Sequence, residues 1–154
     1  AFVLHQGPLP DSDFNARALM SLRQSLYAAG HKYEKSHLLS HQLSSSQCLL
    51  ATHEELWHFQ HPQQLQSIRV KGRLQLPSEV MRIEACVAGL GIAKLTDTDV
   101  GSQLRNGSLI RLQTPMAVEA QTLSLLYRHQ YLPLRARLFI EFFQSHIGRL
   151  SSRI

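Results

Sequence analysis

The stretch Gly72–Leu95, GRLQLPSEVMRIEACVAGLGIAKL, constrains the fold of this chain more than any other. It reads as strand, turn, helix, glycine turn and strand. From Ile68 to Leu76 the side chains alternate. Ile68, Val70, Gly72, Leu74 and Leu76 point one way, and Arg69, Lys71, Arg73 and Gln75 the other. A period of two predicts a half-buried strand. Pro77 stops it, because proline has no N–H and a fixed φ. Ser78 is placed as a helix N-cap, whose hydroxyl can accept a hydrogen bond from an orphan N–H. Val80, Ile83, Val87 and Leu90 then recur at helical spacing, with Met81, Ala85 and Ala88 beside them. Gly89 or Gly91 can take the left-handed conformation that ends a helix. Ile92 to Leu95 begins a second apolar strand. Strand–helix–strand of this length is the βαβ unit of a parallel sheet.

The rest of the chain supplies more elements of both kinds. Phe2–Gln6 reads as a short buried strand, and GPLPDS after it as a turn-rich loop. A strand is expected over Leu22–Ala28, a short helix near His31–His37, and strands at Cys48–Ala51 and Glu55–Gln60, with Trp57 and Phe59 on one face. Asp97 or Thr98 can cap a short helix that ends near Asn106-Gly107. Strands follow at Leu109–Leu112 and Thr122–Tyr127. Pro133 suits the first turn of a last helix. Leu134, Leu138, Phe139, Phe142, Phe143 and Ile147 form its apolar set, with Leu138, Phe139 and Phe142 on the better-buried side and Gly148 at its end. Alternating strands and helices argue an α/β fold with a mainly parallel sheet.

Composition narrows the partners. The net charge is +5, but the basic residues are scattered and no Lys/Arg-rich run stands out, so direct nucleic-acid binding is not expected. No apolar run is long enough to span a membrane, and the N-terminus lacks the charged and apolar regions of a signal peptide. The two cysteines, Cys48 and Cys86, lie in different apolar contexts and read as buried free thiols of a reducing, cytoplasmic compartment.

Catalytic signatures are missing. There is no G-x-S-x-G elbow, no P-loop and no G-x-G-x-x-G opening a helix, so neither an enzyme nor a cofactor is expected. Six of the nine histidines cluster between His31 and His61, and His37 and His41 share a helix-face spacing. Without an HExxH pattern or a CxxC they read as a solvated surface, and a metal-dependent enzyme built on them is the weaker alternative. The chemistry best supported is ligand capture. A helix starting at Ser78 presents free N–H groups and a positive dipole end. In α/β sheets that end faces the crevice beyond the strand C-termini, where Gln6 and Gly7 would also lie.

RIEACVAGLGIAKL resembles the "aalaGlGIa.Lp" signature of the effector-binding domain of LysR-type transcriptional regulators. FVLHQGPLPDSDFNARAL, Cys48-Leu49, Trp57-His58-Phe59, LRNGSLIRL and YLPLRARLFIEFFQSHI resemble further family segments in the family's order. Two places depart from the pattern: Pro77–Met81 at the helix start, and His5-Gln6 before the first glycine. The resemblance implies a two-lobed, type II periplasmic-binding-protein-like fold. One lobe, residues 25–120, would be complete. The other, residues 1–24 and 121–148, would be partial, with residues 149–154 a frayed tail. It implies a small-molecule effector bound between the lobes, but both departures sit where the family binds its effectors, so the effector's chemistry does not carry over. The free N–H groups of the Ser78 helix, with that cleft, lead to a small carboxylate or other anion as the expected effector, held at His5, Gln6, Gly7, Ser78 and Glu79. The resemblance also implies an antiparallel side-by-side dimer, weakened here because the usual partner helix is absent, so the homo-oligomer expected is one held by unpaired strand edges such as Phe2 to His5. DNA contact is expected only through an N-terminal winged helix-turn-helix domain absent from this sequence. A free-standing solute-binding module is the alternative.

Overall fold

A computed structural model describes residues 2–11, 13–33, 40–128 and 132–151, without the side chains of residues 40, 41, 61 and 148–151. Most of the helix expected near His31–His37 lies outside the described residues. The chain divides into two compact units, Arg23–Glu119 and Ala1–Leu22 with Ala120–Ile154.

In the first of these, β3 (Gln24–Ala29), β4 (Gln47–Leu50), β7 (Lys71–Gln75), β8 (Ile92–Thr96) and β9 (Leu109–Arg111) form a five-stranded sheet in the order β7-β4-β8-β3-β9. β7, β4 and β8 run parallel, and β3 is antiparallel to both of its neighbours. β4 and β8 are buried on both faces, which is why their sequences are runs of apolar residues instead of alternations. Helix α2 (Glu79–Val87) crosses from β7 to β8 and covers one face, where Ile83 and Cys86 pack with Tyr27, Leu49, Ala93, Leu95 and Leu109. A 3-10 turn (Asp97–Val100) and α3 (Gly101–Arg105) follow β8. The other face packs on an antiparallel three-stranded sheet, β10 (Ala117–Val118), β5 (Leu56–His61) and β6 (Gln64–Arg69), and α1 (Ser40–Ser45), which precedes β4, lies against β6. Trp57 and Phe59 fill the space between the sheets with Leu26, Ala28, Leu50 and Ile92.

The alternating run Ile68–Leu76 is two strands, not one. Up to Arg69 it pairs with β5 in the small sheet, and from Lys71 it pairs with β4 in the large one. Val70, buried between them, marks the change of partner. A Cβ on Gly72 would lie 1.9 Å from the Cys48 carbonyl oxygen, so the close approach of β7 to β4 requires glycine there. Because β7 is an edge strand, Leu74 remains exposed.

α2 also differs in the face it buries. Val80 and Met81 are 67% and 52% exposed, as is much of Leu90. The helix has apolar residues on more than one stripe, and the sheet covers only the Ile83–Cys86 stripe. Gly89, at φ +76, ends it. Its N–H bonds to the Cys86 carbonyl and that of Leu90 to Ala85, while the Lys32 ammonium donates to the Gly89 carbonyl.

The second unit is an antiparallel sheet of β1 (Phe2–Gln6), β11 (Gln121–Tyr127) and β2 (Asn15–Leu22), in the order β1-β11-β2, with helix α4 (Leu134–Ser151). The strand expected over Leu22–Ala28 is therefore the second half of a longer extended segment that changes sheet at Arg23. Phe2–Gln6 is an edge strand paired on one side to β11, and it is exposed instead of buried. In α4 the buried stripe is Ala136 and Ile140, continued by half-buried Phe143 and Ile147. Leu134, Leu138, Phe139 and Phe142 are exposed. Two apolar stripes compete on this helix, and the one that includes a small residue, Ala136, lies against the protein. Gly148 does not end the helix, which runs on to Ser151.

Candidate functional site

The C-terminal ends of the parallel strands β4, β7 and β8 bring Ala51–Glu54, Leu76–Glu79 and Thr96-Asp97 to one edge of the large sheet. The Leu76 N–H donates to the Leu50 carbonyl at 2.7 Å and continues the β7–β4 ladder to this edge. Ser78 is the N-cap residue of α2, with extended backbone (φ −88, ψ 135), and its carbonyl accepts the first helical bond from Arg82 at 3.1 Å. Its hydroxyl makes no capping bond, contrary to the expectation from sequence, and the residue is exposed. Helix geometry leaves the first-turn N–H groups of Glu79, Val80 and Met81 without intrahelical partners. The positive end of α2 and a free hydroxyl are thus offered together, which is the chemistry of an anion site.

Glu79 is held tightly. Its carboxylate accepts the Thr96 N–H at 2.5 Å and lies 3.7 Å from the Arg82 guanidinium, both side chains being largely shielded. Arg82 in turn donates to the Leu76 and Pro77 carbonyls at 2.7 and 3.3 Å. This network ties the start of α2 to the end of β8 and closes the turn that presents Ser78.

His5, Gln6 and Gly7 lie at the end of β1 in the other unit. His5 Nε2 lies 2.7 Å from the Pro8 carbonyl, Gln6 Nε2 donates to Gln121 Oε1 at 2.9 Å, and the Gly7 N–H donates to Thr122 at 3.1 Å. Gly7 adopts φ +98, which re-aims the chain out of the sheet.

Charged groups that sequence reading did not single out also gather in the first unit. On the face of the large sheet opposite α2, the Lys94 ammonium donates to Glu54 Oε1, and the side chains are only 13% and 18% exposed. Glu54 Oε2 accepts the Ala51 N–H at 3.0 Å. Burial pushes the Glu54 carboxyl up, but the Lys94 charge and the hydrogen bonds around it outweigh burial, and the group ends below its ordinary value. Lys94 also lies 5.8 Å from the centre of the Trp57 ring. The signal was present: a lysine inside the buried strand IAKL needs a partner. Elsewhere, buried Tyr27 donates to Asp97 at 2.8 Å and accepts from Arg111 at 3.2 Å, while Arg111 pairs with Asp97 at 3.1 Å. Burial, then the Asp97 carboxylate, pushes the Tyr27 hydroxyl up to about 12.

Cys48 and Cys86 are free and buried, and burial pushes both thiols up to about 12. Among the described residues no group of three or more His, Cys, Asp and Glu is gathered as for a metal, and no helix is long and apolar enough to cross a membrane.

The family model for the LysR substrate binding domain matches residues 2–148, and the chain belongs to this family. Its fold is the type II periplasmic-binding-protein-like fold of LysR regulatory domains. Over 99 residues it is 26% identical to the HTH-type transcriptional regulator PtxR of Pseudomonas aeruginosa, covering 64% of this chain and 32% of PtxR. The full-length virulence activator AphB of Vibrio cholerae, an LTTR protein, is 25% identical with a TM-score of 0.71, over 92% of this chain and 50% of AphB. The CcmR regulatory domain of Synechocystis, solved in complex with 2-PG, shares the fold with a TM-score of 0.68 at 14% identity, over 94% of this chain and 72% of CcmR. The chain thus spans half or less of the length of PtxR and AphB.

Proposed function

We propose that this chain senses a small anionic effector, a small carboxylate or related anion, on behalf of a LysR-type transcriptional regulator. The observation that carries the reading is the start of α2, where an uncommitted Ser78 hydroxyl stands beside unpaired first-turn N–H groups at the C-terminal ends of the parallel strands β4, β7 and β8. A fold neighbour solved with 2-PG supports a small ligand for this fold. Ser78 is the direct contact in this reading. Glu79 positions the helix start, its carboxylate being committed to Thr96 and Arg82. His5, Gln6 and Gly7 are further effector contacts proposed from their place where β1 ends. The protein acts by binding and not by catalysis, in the cytoplasm, as a homo-oligomer that buries exposed apolar residues such as Val80, Met81 and Leu90. DNA contact belongs to another part of the regulator.

The test is a thermal-shift screen of small carboxylates and organophosphates on the wild type and on Ser78→Ala. Because the hydroxyl makes no cap bond, the substitution should change stability by less than about 0.5 kcal/mol, against about 1 kcal/mol for an ordinary cap. A hit at a hundred times its Kd should stabilise the wild type by about 2.7 kcal/mol, and the variant less. An equal shift in both would place the ligand elsewhere.

A further inference from the structure

We infer that β1 is a docking strand for a second copy of this chain. Two β1 strands pair antiparallel about a two-fold axis at Leu4 and join the two small sheets edge to edge, in the order β2-β11-β1-β1-β11-β2. The inference concerns only the unit of β1, β2, β11 and α4 and does not depend on the reading of Ser78. Among the described residues β1 has one strand partner, β11. The Gly7 N–H donates to the Thr122 carbonyl, in register with the pairs His5–Ser124 and Val3–Leu126. Antiparallel ladders alternate, so Val3 and His5 turn their backbone groups to β11, and Phe2 and Leu4 turn theirs to the other side. A two-fold at Leu4 sets its N–H and carbonyl against those of the same residue in the second copy.

Charge favours this edge over the others. Phe2–Gln6 carries no Asp, Glu, Lys or Arg, so like strands meet without repulsion. The other edge strands are guarded: β2 by Arg17 and a break in register, β6 by Arg69, β7 by Lys71 and Arg73, and β9 by Arg111. The side chains fit the same partner. Phe2 stacks on Phe139 of α4 at 6.0 Å, and Leu4, two residues on, shares that face of the sheet. Both are exposed, as are Phe139 and Phe142, which are neighbours on α4. A two-fold normal to the sheet keeps both α4 helices on one face, so these rings of the two copies flank the Leu4 seam. Three rings of roughly 150–250 Å² each, about half of it exposed, offer about 300 Å² per copy before Leu4 and the backbone are counted. That is less than the roughly 800 Å² per partner of a standard interface, so the pairing is reversible.

Sedimentation of the full chain over a concentration series tests this in a background of Val80→Lys with Met81→Glu, which silences the α2 face. A dimer should remain. Adding Leu4→Lys, which charges the edge and leaves the β11 ladder intact, should weaken it at least about tenfold. Circular dichroism is the folding control. Opposed residues of an antiparallel ladder stand about 5.5 Å apart at Cα, within disulfide reach. Leu4→Cys should therefore link two copies on mild oxidation, while Val3→Cys, which this register sets opposite His5, should not. Cys48 and Cys86 are buried and do not compete. A monomer at every concentration in that background, dimerisation unchanged by Leu4→Lys, or equal linking of the two cysteine variants overturns the inference. So does protection of the Leu4 amide from hydrogen exchange in a monomer, which would mean that the chain itself covers the edge.

Discussion

Replacing Ile140 and Phe139 in turn tests how α4 is docked, and the two neighbours should behave oppositely to their size. Ile140 is fully buried, at 0% exposure. Ile140→Ala removes its Cγ1, Cγ2 and Cδ1 carbons, worth about 0.8 kcal/mol each in transfer, and leaves a cavity, for a loss of about 3–4 kcal/mol in all. Phe139 is 48% exposed, although its ring stacks on Phe2 and Phe143 at 6.0 and 5.8 Å. A phenylalanine presents roughly 150–250 Å². With about half of that covered, at about 25 cal/mol/Å² and reduced for a compact unfolded state, Phe139→Ala should cost about 1–2 kcal/mol. Amide hydrogen exchange at Leu125 and Leu126, buried in the central strand β11, reads this unit directly. Trp57 fluorescence reads the other unit and keeps the two apart. If Phe139→Ala cost as much as Ile140→Ala, the stripe Ala136–Ile140–Phe143 would not be the docked one.

Further outcomes follow from the charged and buried groups. The folded-state pKa of Glu54 is depressed, so its stabilisation is present above the unfolded carboxyl value of about 4.5 and is lost as pH falls through the folded value. Lys94→Met should abolish that acid-side loss and cost about 3–5 kcal/mol near neutrality by leaving Glu54 shielded and unpaired, read by urea titration at several pH values. The raised pKa of Cys48, Cys86 and Tyr27 acts on the other side. Stability should fall as pH rises from about 9 towards 12, where the unfolded groups ionise and the folded ones do not. At neutral pH neither thiol should react with a thiol-specific dye until the protein unfolds. Sedimentation over a concentration series should show reversible self-association that Val80→Lys with Met81→Glu weakens, since both side chains are exposed and apolar. A monomer at every concentration contradicts it.

The central βαβ unit was legible because its signals are local. Pro77 and Gly89 bracket a helix whose bounds follow from backbone chemistry, and the apolar runs of β4 and β8 report burial on both faces. What failed was whatever depends on the neighbour instead of the segment. The alternation of Ile68–Leu76 says that a strand is present, and it is blind to the exchange of sheets at Val70. In α4 both apolar stripes have helical spacing, so sequence could not say which one packs, and the smaller Ala136–Ile140 stripe does. For the site, Ser78 was legible as the helix start, but its idle hydroxyl was not. Nor was the commitment of Glu79 to the Thr96 N–H, a partner seventeen residues away.

The most direct test of the central claim is a nuclear magnetic resonance titration of the amide groups with the best anion from the screen. The largest shifts should fall on the amides of Ser78 to Met81 at the start of α2, saturate together, and weaken in Ser78→Ala. Saturable shifts elsewhere, with those amides unmoved, would contradict it.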